Sequence, residues 1–153
     1  MAKAEEWEWS DAWVLTAALN CGNPVTLEDL VSVGDMINHA IFDYEEIAPA
    51  IDRFERAGLM ERNGGKWNLS PAIRASFEPV RRLGFYEQVG AVLERLREIP
   101  LQQAPATDRP FSEYDYRSAV ARNHARWHRF PCGCLFGVVT ALLMVVLHQC
   151  LRE

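Results

Sequence analysis

The spacing of apolar and polar residues predicts a mainly helical chain that contains one short β-hairpin. Residues 11–20 and 27–38 carry apolar positions at helical spacing, and Ser10 and Thr26 precede them as cap residues. After the hairpin, Ser70 and Pro71 begin a short helix that ends near residue 78. A longer helix is predicted for residues 79–99, with Leu83 among the apolar positions on its buried face.

The strongest local signals lie between the second helix and this short helix. Asp43 and Glu46 form a capping box ahead of a helix whose apolar positions recur three and four residues apart. Gly58 is placed to end that helix in a left-handed conformation. The Asn-Gly-Gly sequence at 63–65 predicts a tight turn between two strands, because these residues adopt positive φ at little cost. A capped helix followed directly by a small hairpin is typical of a winged helix-turn-helix.

The rest of the pattern divides the chain into four parts. Residues 8–99 form the predicted winged-helix domain, and 100–111 form a proline-rich linker. Residues 112–130 follow as a basic helix capped by Ser112, and 131–151 as an apolar segment. The predicted fold class is therefore mainly α with a small β-hairpin, a winged helix-turn-helix domain plus C-terminal helices.

Three capped helices followed by the stretches LMERNGGKW and LSP resemble the winged helix-turn-helix of small bacterial regulators, over about residues 10–78. The stretch GDMINHAIFDYEE is also similar to small, uncharacterised bacterial winged-helix proteins, which implies no known activity. What the resemblance implies is a recognition helix in a DNA major groove, at residues 43–57, with Arg62 and Lys66 of the wing on phosphates.

Charge argues against simple DNA binding. The chain has a net charge of −5, and residues 1–52 contain one lysine and eleven acidic residues, a net of −10. The helix that would read DNA carries five carboxylates against two arginines, and carboxylates are repelled by phosphates. A protein-contact role is therefore favoured, and its expected acidic face consists of Glu45, Glu46, Asp52 and Glu55.

Basic side chains beyond residue 52 supply the alternative. If they converge, they form a nucleic-acid surface; if not, they are a solvated surface with ion pairs such as Glu78 to Arg82 or Glu94 to Arg97. The candidate nucleic-acid residues are Arg53, Arg56, Arg62, Lys66, Arg74, Arg81 and Arg82.

Residues 132–151 contain no charged side chain, and about 20 residues suffice to cross a hydrocarbon core as a helix. The basic flank at 117–129 would keep the preceding residues cytoplasmic. We therefore expect a membrane anchor at 131–151. The alternative is a helix buried against the domain or against a second copy of the chain.

A His/Cys run spans the junction between these parts: His124, His128, Cys132 and Cys134. Imidazole and thiolate are zinc ligands, but the spacing fits no common zinc module. We therefore expect cations at lipid headgroups, and no metal or other cofactor. No catalytic motif is recognised, because Cys21, His39 and Asp43 form no known triad.

These observations together predict a non-enzymatic regulatory or protein-interaction module, tethered to the cytoplasmic face of a membrane and bound to a protein partner. The alternative is a soluble, dimeric DNA-binding regulator that dimerises through its C-terminal helix.

Overall fold

The structure, a computed structural model, describes residues 6–101 and 109–129. The described residues form six α-helices, one 3₁₀ turn and one antiparallel pair of strands. In chain order the elements are α1 (Trp9–Asn20), α2 (Leu27–Asn38), α3 (Tyr44–Arg56), β1 (Met60–Asn63), β2 (Lys66–Leu69), α4 (Pro71–Phe77), the 3₁₀ turn (Val80–Arg82), α5 (Phe85–Arg97) and α6 (Glu113–Arg129). This confirms a mainly helical chain with a small hairpin, an arrangement compatible with a winged helix.

Helix α1 is the centre of the core. Every residue from Asp11 to Leu19 is buried, and α2, α3 and α5 pack around the helix. A helix that is apolar on all sides has to be covered on all sides. The surrounding helices each contribute one apolar face, which includes Leu30 of α2, Ile51 of α3 and Val92 of α5.

The predicted caps of α2 and α3 are confirmed, and that of α1 is not. Thr26 caps α2 with Asp29, and Asp43 caps α3 with Glu46. Helix α1 begins at Trp9 rather than after Ser10. Its capping box uses Glu8, whose backbone N–H donates to the Asp11 carboxylate at 2.7 Å.

The hairpin has the predicted turn. Gly58, Gly64 and Gly65 have φ values of 70°, 56° and 77°, which glycine adopts without steric cost. Outside the hairpin, Val25 forms an isolated antiparallel bridge with Trp67 of β2 through two backbone hydrogen bonds of 2.7 and 2.9 Å. The segment between α1 and α2 is thereby attached to the hairpin.

The single helix predicted for residues 79–99 is wrong. Leu83 and Gly84 are extended, so a 3₁₀ turn and α5 replace it. The amide of Gln88 explains the break, because it donates to the carbonyl oxygens of Arg81 and Leu83 at 3.2 and 2.8 Å. A buried side chain thus satisfies the carbonyl groups that a continuous helix would have bonded internally.

Residues 109–129 pack on the helical domain. Helix α6 lies against α2, and it begins at the predicted cap, where the Ser112 hydroxyl and Asp115 form reciprocal bonds. The Tyr116 hydroxyl donates to the carbonyl of Phe42, and the Tyr44 hydroxyl donates to that of Phe111 at 3.1 Å. These two bonds connect the start of α6 to the entry of α3.

Among the described residues, none of the helices is both long enough and apolar enough to traverse a bilayer. The anchor predicted at 131–151 lies outside the described residues.

Gly34 of α2 is the point of closest approach to the next segment. A Cβ atom there would lie 2.0 Å from the nearest atom of the Phe42 ring. The Phe42 ring itself packs on the Trp13 ring at 4.1 Å between centroids, and the Trp13 indole N–H donates to the Gly34 carbonyl at 3.2 Å. The glycine therefore makes room for an aromatic pair that joins α1 to the entry of α3.

We expect Gly34→Ala to destabilise the fold by about 1–3 kcal/mol, because the buried Phe42 ring has to move. The matched control is Gly90→Ala in α5, where a Cβ atom meets nothing within 4 Å. That change should stabilise by about 0.5–1 kcal/mol through helix propensity. Urea unfolding of both variants measures the difference, and equal effects at the two sites would contradict the packing argument.

Candidate functional site

The arginines expected to bind nucleic acid are largely engaged by the protein's own groups. Arg53 donates through Nε and Nη2 to one oxygen of Asp11, at 2.9 and 2.6 Å. The Asp11 side chain is fully buried and that of Arg53 is 12% exposed. Burial raises the pKa of Asp11 above its ordinary value, although Arg53 acts in the opposite direction. This arginine joins α3 to the central helix.

Two further arginines pair along α3 and the hairpin. Arg56 donates to Asp52 at 2.9 Å, and both side chains are almost completely buried. Arg62 of β1 donates to both oxygens of Glu55 at 2.8 and 2.5 Å. The indole N–H of Trp67 donates to the same carboxylate at 2.8 Å. Glu55 therefore fixes the hairpin to the last turn of α3.

Arg74 supports the end of α1. Its guanidinium group donates to the carbonyl oxygens of Leu19, Cys21 and Gly22 at 3.2–3.5 Å. Burial lowers the pKa of Arg74 below its ordinary value. These carbonyls stand where α1 has no further helical donor, so a cation there is favourable.

The remaining three candidates are exposed. Arg81 donates to Glu78 at 3.0 Å, so the ion pair predicted for Arg82 is formed by Arg81 instead. The predicted ion pair between Arg97 and Glu94 is present at 2.7 Å. Within the described residues, Lys66 and Arg82 enter no ion pair. The seven basic residues are thus spread over the hairpin, α3, α4 and the 3₁₀ turn, mostly as structural groups.

The acidic residues expected to contact a partner have similar roles. Glu46 accepts the backbone N–H of Asp43 at 2.8 Å as part of the helix cap. Asp52 and Glu55 form the arginine pairs described above. Glu45 is exposed and lies 3.4 Å from Arg109, whose guanidinium carbon stands 4.9 Å from the Tyr44 ring centroid. Of the four, only Glu45 projects into solvent.

Helix α3 is consequently embedded rather than projecting. Seven of its thirteen residues are buried, including Tyr44, Ala48 and Asp52 along one side and Ala50 and Phe54 along another. One side of its first turn is covered by the segment that leads into α6, where the Phe111 ring packs edge-on against Tyr44, and Glu45 remains exposed on the other side. The exposed side chain of this turn, Glu45, is a carboxylate, and phosphates repel carboxylates.

Large apolar side chains are exposed at another place, which the sequence did not reveal. Leu83, Phe85 and Tyr86 surround the start of α5, and the Tyr86 ring packs on Trp9 at 6.0 Å between centroids. We call this group, Trp9, Leu83, Phe85 and Tyr86, the aromatic patch. Leu83 was predicted to be buried; it is 43% exposed, because the extended residues at 83 and 84 turn it outward.

The residues that the structure describes contain no candidate metal site. His124 lies on the exposed side of α6, and within residues 6–101 and 109–129 no group of His, Cys, Asp or Glu could hold a metal ion. The side chain of His128 is not described, and Cys132 and Cys134 lie outside the described residues.

Comparison with known proteins does not assign the chain to a family. No protein-family model matches the chain, and neither a curated protein nor a solved structure matches it significantly. What the fold and the site define is a mainly helical domain in which most of the candidate arginines are held by the protein's own groups and in which Leu83, Phe85 and Tyr86 are exposed at the start of α5.

We expect Arg53→Ala to destabilise the fold by about 3–5 kcal/mol, because it leaves the buried Asp11 carboxylate uncompensated. The pKa of Asp11, already above its unfolded value of 3.8, should rise further. The folded variant then binds a proton more tightly than the unfolded chain, so its free energy of unfolding falls as pH rises. The loss should therefore be smaller at about pH 5 than at about pH 8.

Arg82→Ala is the matched control, since Arg82 is exposed, and it should change stability by less than about 0.5 kcal/mol. Thermal unfolding at the two pH values measures both variants. Equal losses of stability in the Arg53 and Arg82 variants would show that the buried ion pair does not stabilise the fold.

Proposed function

We propose that this chain is a non-enzymatic, winged-helix protein-interaction module, held at the cytoplasmic face of a membrane by residues 131–151. The observation that carries the proposal is the internal use of the arginines that a DNA reader would present. The tether is supported by sequence alone, through the uncharged stretch at 132–151.

The order and attachment of the elements support the winged helix. The chain forms two helices joined by the segment around Val25, and a third helix and a hairpin follow them. This is the order of elements in a winged helix. The bridge between Val25 and Trp67 attaches the connection between α1 and α2 to the hairpin that would form the wing.

A protein partner is favoured over DNA on electrostatic grounds. Phosphate neutralisation supplies most non-specific DNA affinity and needs several available cations. Arg53, Arg56 and Arg74 are instead held by buried or half-buried acceptors, and Arg62 is held by Glu55. If these arginines bound phosphates, the fold would lose the hydrogen bonds and ion pairs that they make within it.

The aromatic patch is the surface that suits such a partner. Aromatic side chains are enriched at the centres of protein interfaces, where they bury a large area and lose little conformational entropy. The patch gathers three aromatic rings and a leucine at one edge of α1 and α5. We infer that the partner presents apolar side chains to it.

The first test concerns DNA. The full chain in detergent micelles, mixed with duplex DNA at low salt, should show no salt-sensitive gel shift that depends on the hairpin, because the arginines of α3 and the hairpin are held by carboxylates of the domain. Arg62→Ala with Lys66→Ala should leave that result unchanged. A salt-sensitive shift that these two substitutions abolish would instead support the alternative, a dimeric DNA-binding regulator.

The second test places a photoreactive phenylalanine analogue at position 86 in cells. Tyr86 is 73% exposed and Tyr114 on α6 is 78% exposed, so position 114 is a matched control. A discrete protein adduct is expected at 86 and not at 114, and Phe85→Ala should reduce its yield. Equal adducts at both positions, or none at 86, would remove the aromatic patch as the contact surface.

A further inference from the structure

Helix α6 is held on α2 by a small and mostly polar contact. Among its residues 113–126, only Ala119 and Asn123 are buried. The amide of Asn123 donates to Asp35 at 3.3 Å, but its Oδ1 atom is buried without a partner among the described residues. An unsatisfied polar atom opposes burial, and one buried alanine contributes little apolar area. Tyr116, in the first turn of α6, packs on the Tyr44 ring and donates to the Phe42 carbonyl, so α6 is fixed at its start and held less firmly along its later turns.

Electrostatics complete the contact. Arg122 and Arg126 both donate to Glu28 of α2, at 2.9 and 3.0 Å, and their side chains remain 59% and 62% exposed. Two guanidinium groups thus share one carboxylate, and exposed pairs of this kind are weak. An open cleft of about 420 Å³ lies beside this ion pair, between the hairpin and α6, and Glu28 and Arg122 both line it. Water therefore reaches the ion pair from the cleft.

The sequence around these arginines contains an excess of positive charge. From residue 116 to residue 129 there are four arginines, two histidines and no acidic residue. The uncharged stretch at 132–151 follows three residues later. Basic residues directly next to an apolar segment are suited to an anionic lipid surface, because the apolar segment and the charges reach the same boundary.

We propose that α6 is an electrostatic strap whose second ligand is an anionic phospholipid surface. Lipid phosphates replace Glu28 on Arg122 and Arg126, the turns of α6 beyond Tyr116 leave α2, and the α2 face that carries Glu28 and Asp35 becomes accessible. The inference rests on the proposed membrane tether, which brings α6 to the bilayer. The lipid composition of the bilayer then determines whether α6 lies against α2 or against the membrane.

The test uses the full chain with Cys132, Cys134 and Cys150 changed to Ser and with Ala119→Cys as reporter. Native Cys21 is buried in the core, and burial raises its pKa to about 12, so it reports whether the core stays closed. Vesicles of equal parts phosphatidylserine and phosphatidylcholine should accelerate alkylation at 119 by about tenfold or more, relative to phosphatidylcholine alone. Cys21 should remain protected on both.

Charge variants separate the strap from a general lipid effect. Arg122→Gln with Arg126→Gln should abolish the dependence on phosphatidylserine, whereas the matched pair Arg81→Gln with Arg82→Gln should keep it. Because a cysteine at 119 could itself loosen the packing, Val31→Cys, fully buried on the same side of α2 as Glu28, serves as a second reporter.

The outcomes distinguish the strap from the tether. Flotation with phosphatidylcholine vesicles tests the tether alone, and a chain that stays in the soluble fraction fails it. A chain that floats but whose reporters react equally on both vesicles overturns the strap. Release by a single-stranded oligonucleotide at the same ionic strength, without release on anionic vesicles, also overturns it and assigns the arginines to nucleic acid.

Discussion

The burial of nine consecutive residues of α1, Asp11 to Leu19, is the constraint on which the rest of the structure depends. Because this stretch has no exposed position, other elements have to cover all of its sides. The one carboxylate in that stretch, Asp11, is tolerated because Arg53 of α3 supplies two hydrogen bonds and the backbone of Glu8 supplies a third. Placing α3 against α1 thus satisfies a buried charge as well as apolar area.

This constraint explains why the basic side chains of α3 are engaged within the domain. Its basic side chains are drawn inward by Asp11 and Asp52, and its last turn holds the hairpin through Glu55. The same acidic residues that made DNA binding unfavourable by charge count therefore have a structural reason to be present. They neutralise the arginines of their own domain, a role that the charge count alone did not indicate.

Sequence reasoning predicted the local structure well where short-range chemistry decides it. The caps at Thr26, Asp43 and Ser70 and the glycine turn depend on residues within four positions of each other, and the structure has each of them. The break at Leu83 was missed because the bonds that stabilise it come from Gln88, a polar residue in an otherwise regular helical pattern. The aromatic patch was missed for the same reason, since the break is what exposes it.

The partners of the charged residues were the least predictable feature, because most connect positions far apart in sequence. Arg53 meets Asp11 across 42 residues, and Arg122 meets Glu28 across 94. The buried pair fixes the core, whereas the pair on α6 is exposed and shared between two arginines. Solvent screens the exposed ion pairs of α6 but not the buried pair of Arg53 and Asp11. The buried pair is therefore stable, whereas the exposed pairs can exchange Glu28 for another anion. A domain of this kind can therefore keep a rigid core while one peripheral helix responds to the charge of the surface beside it.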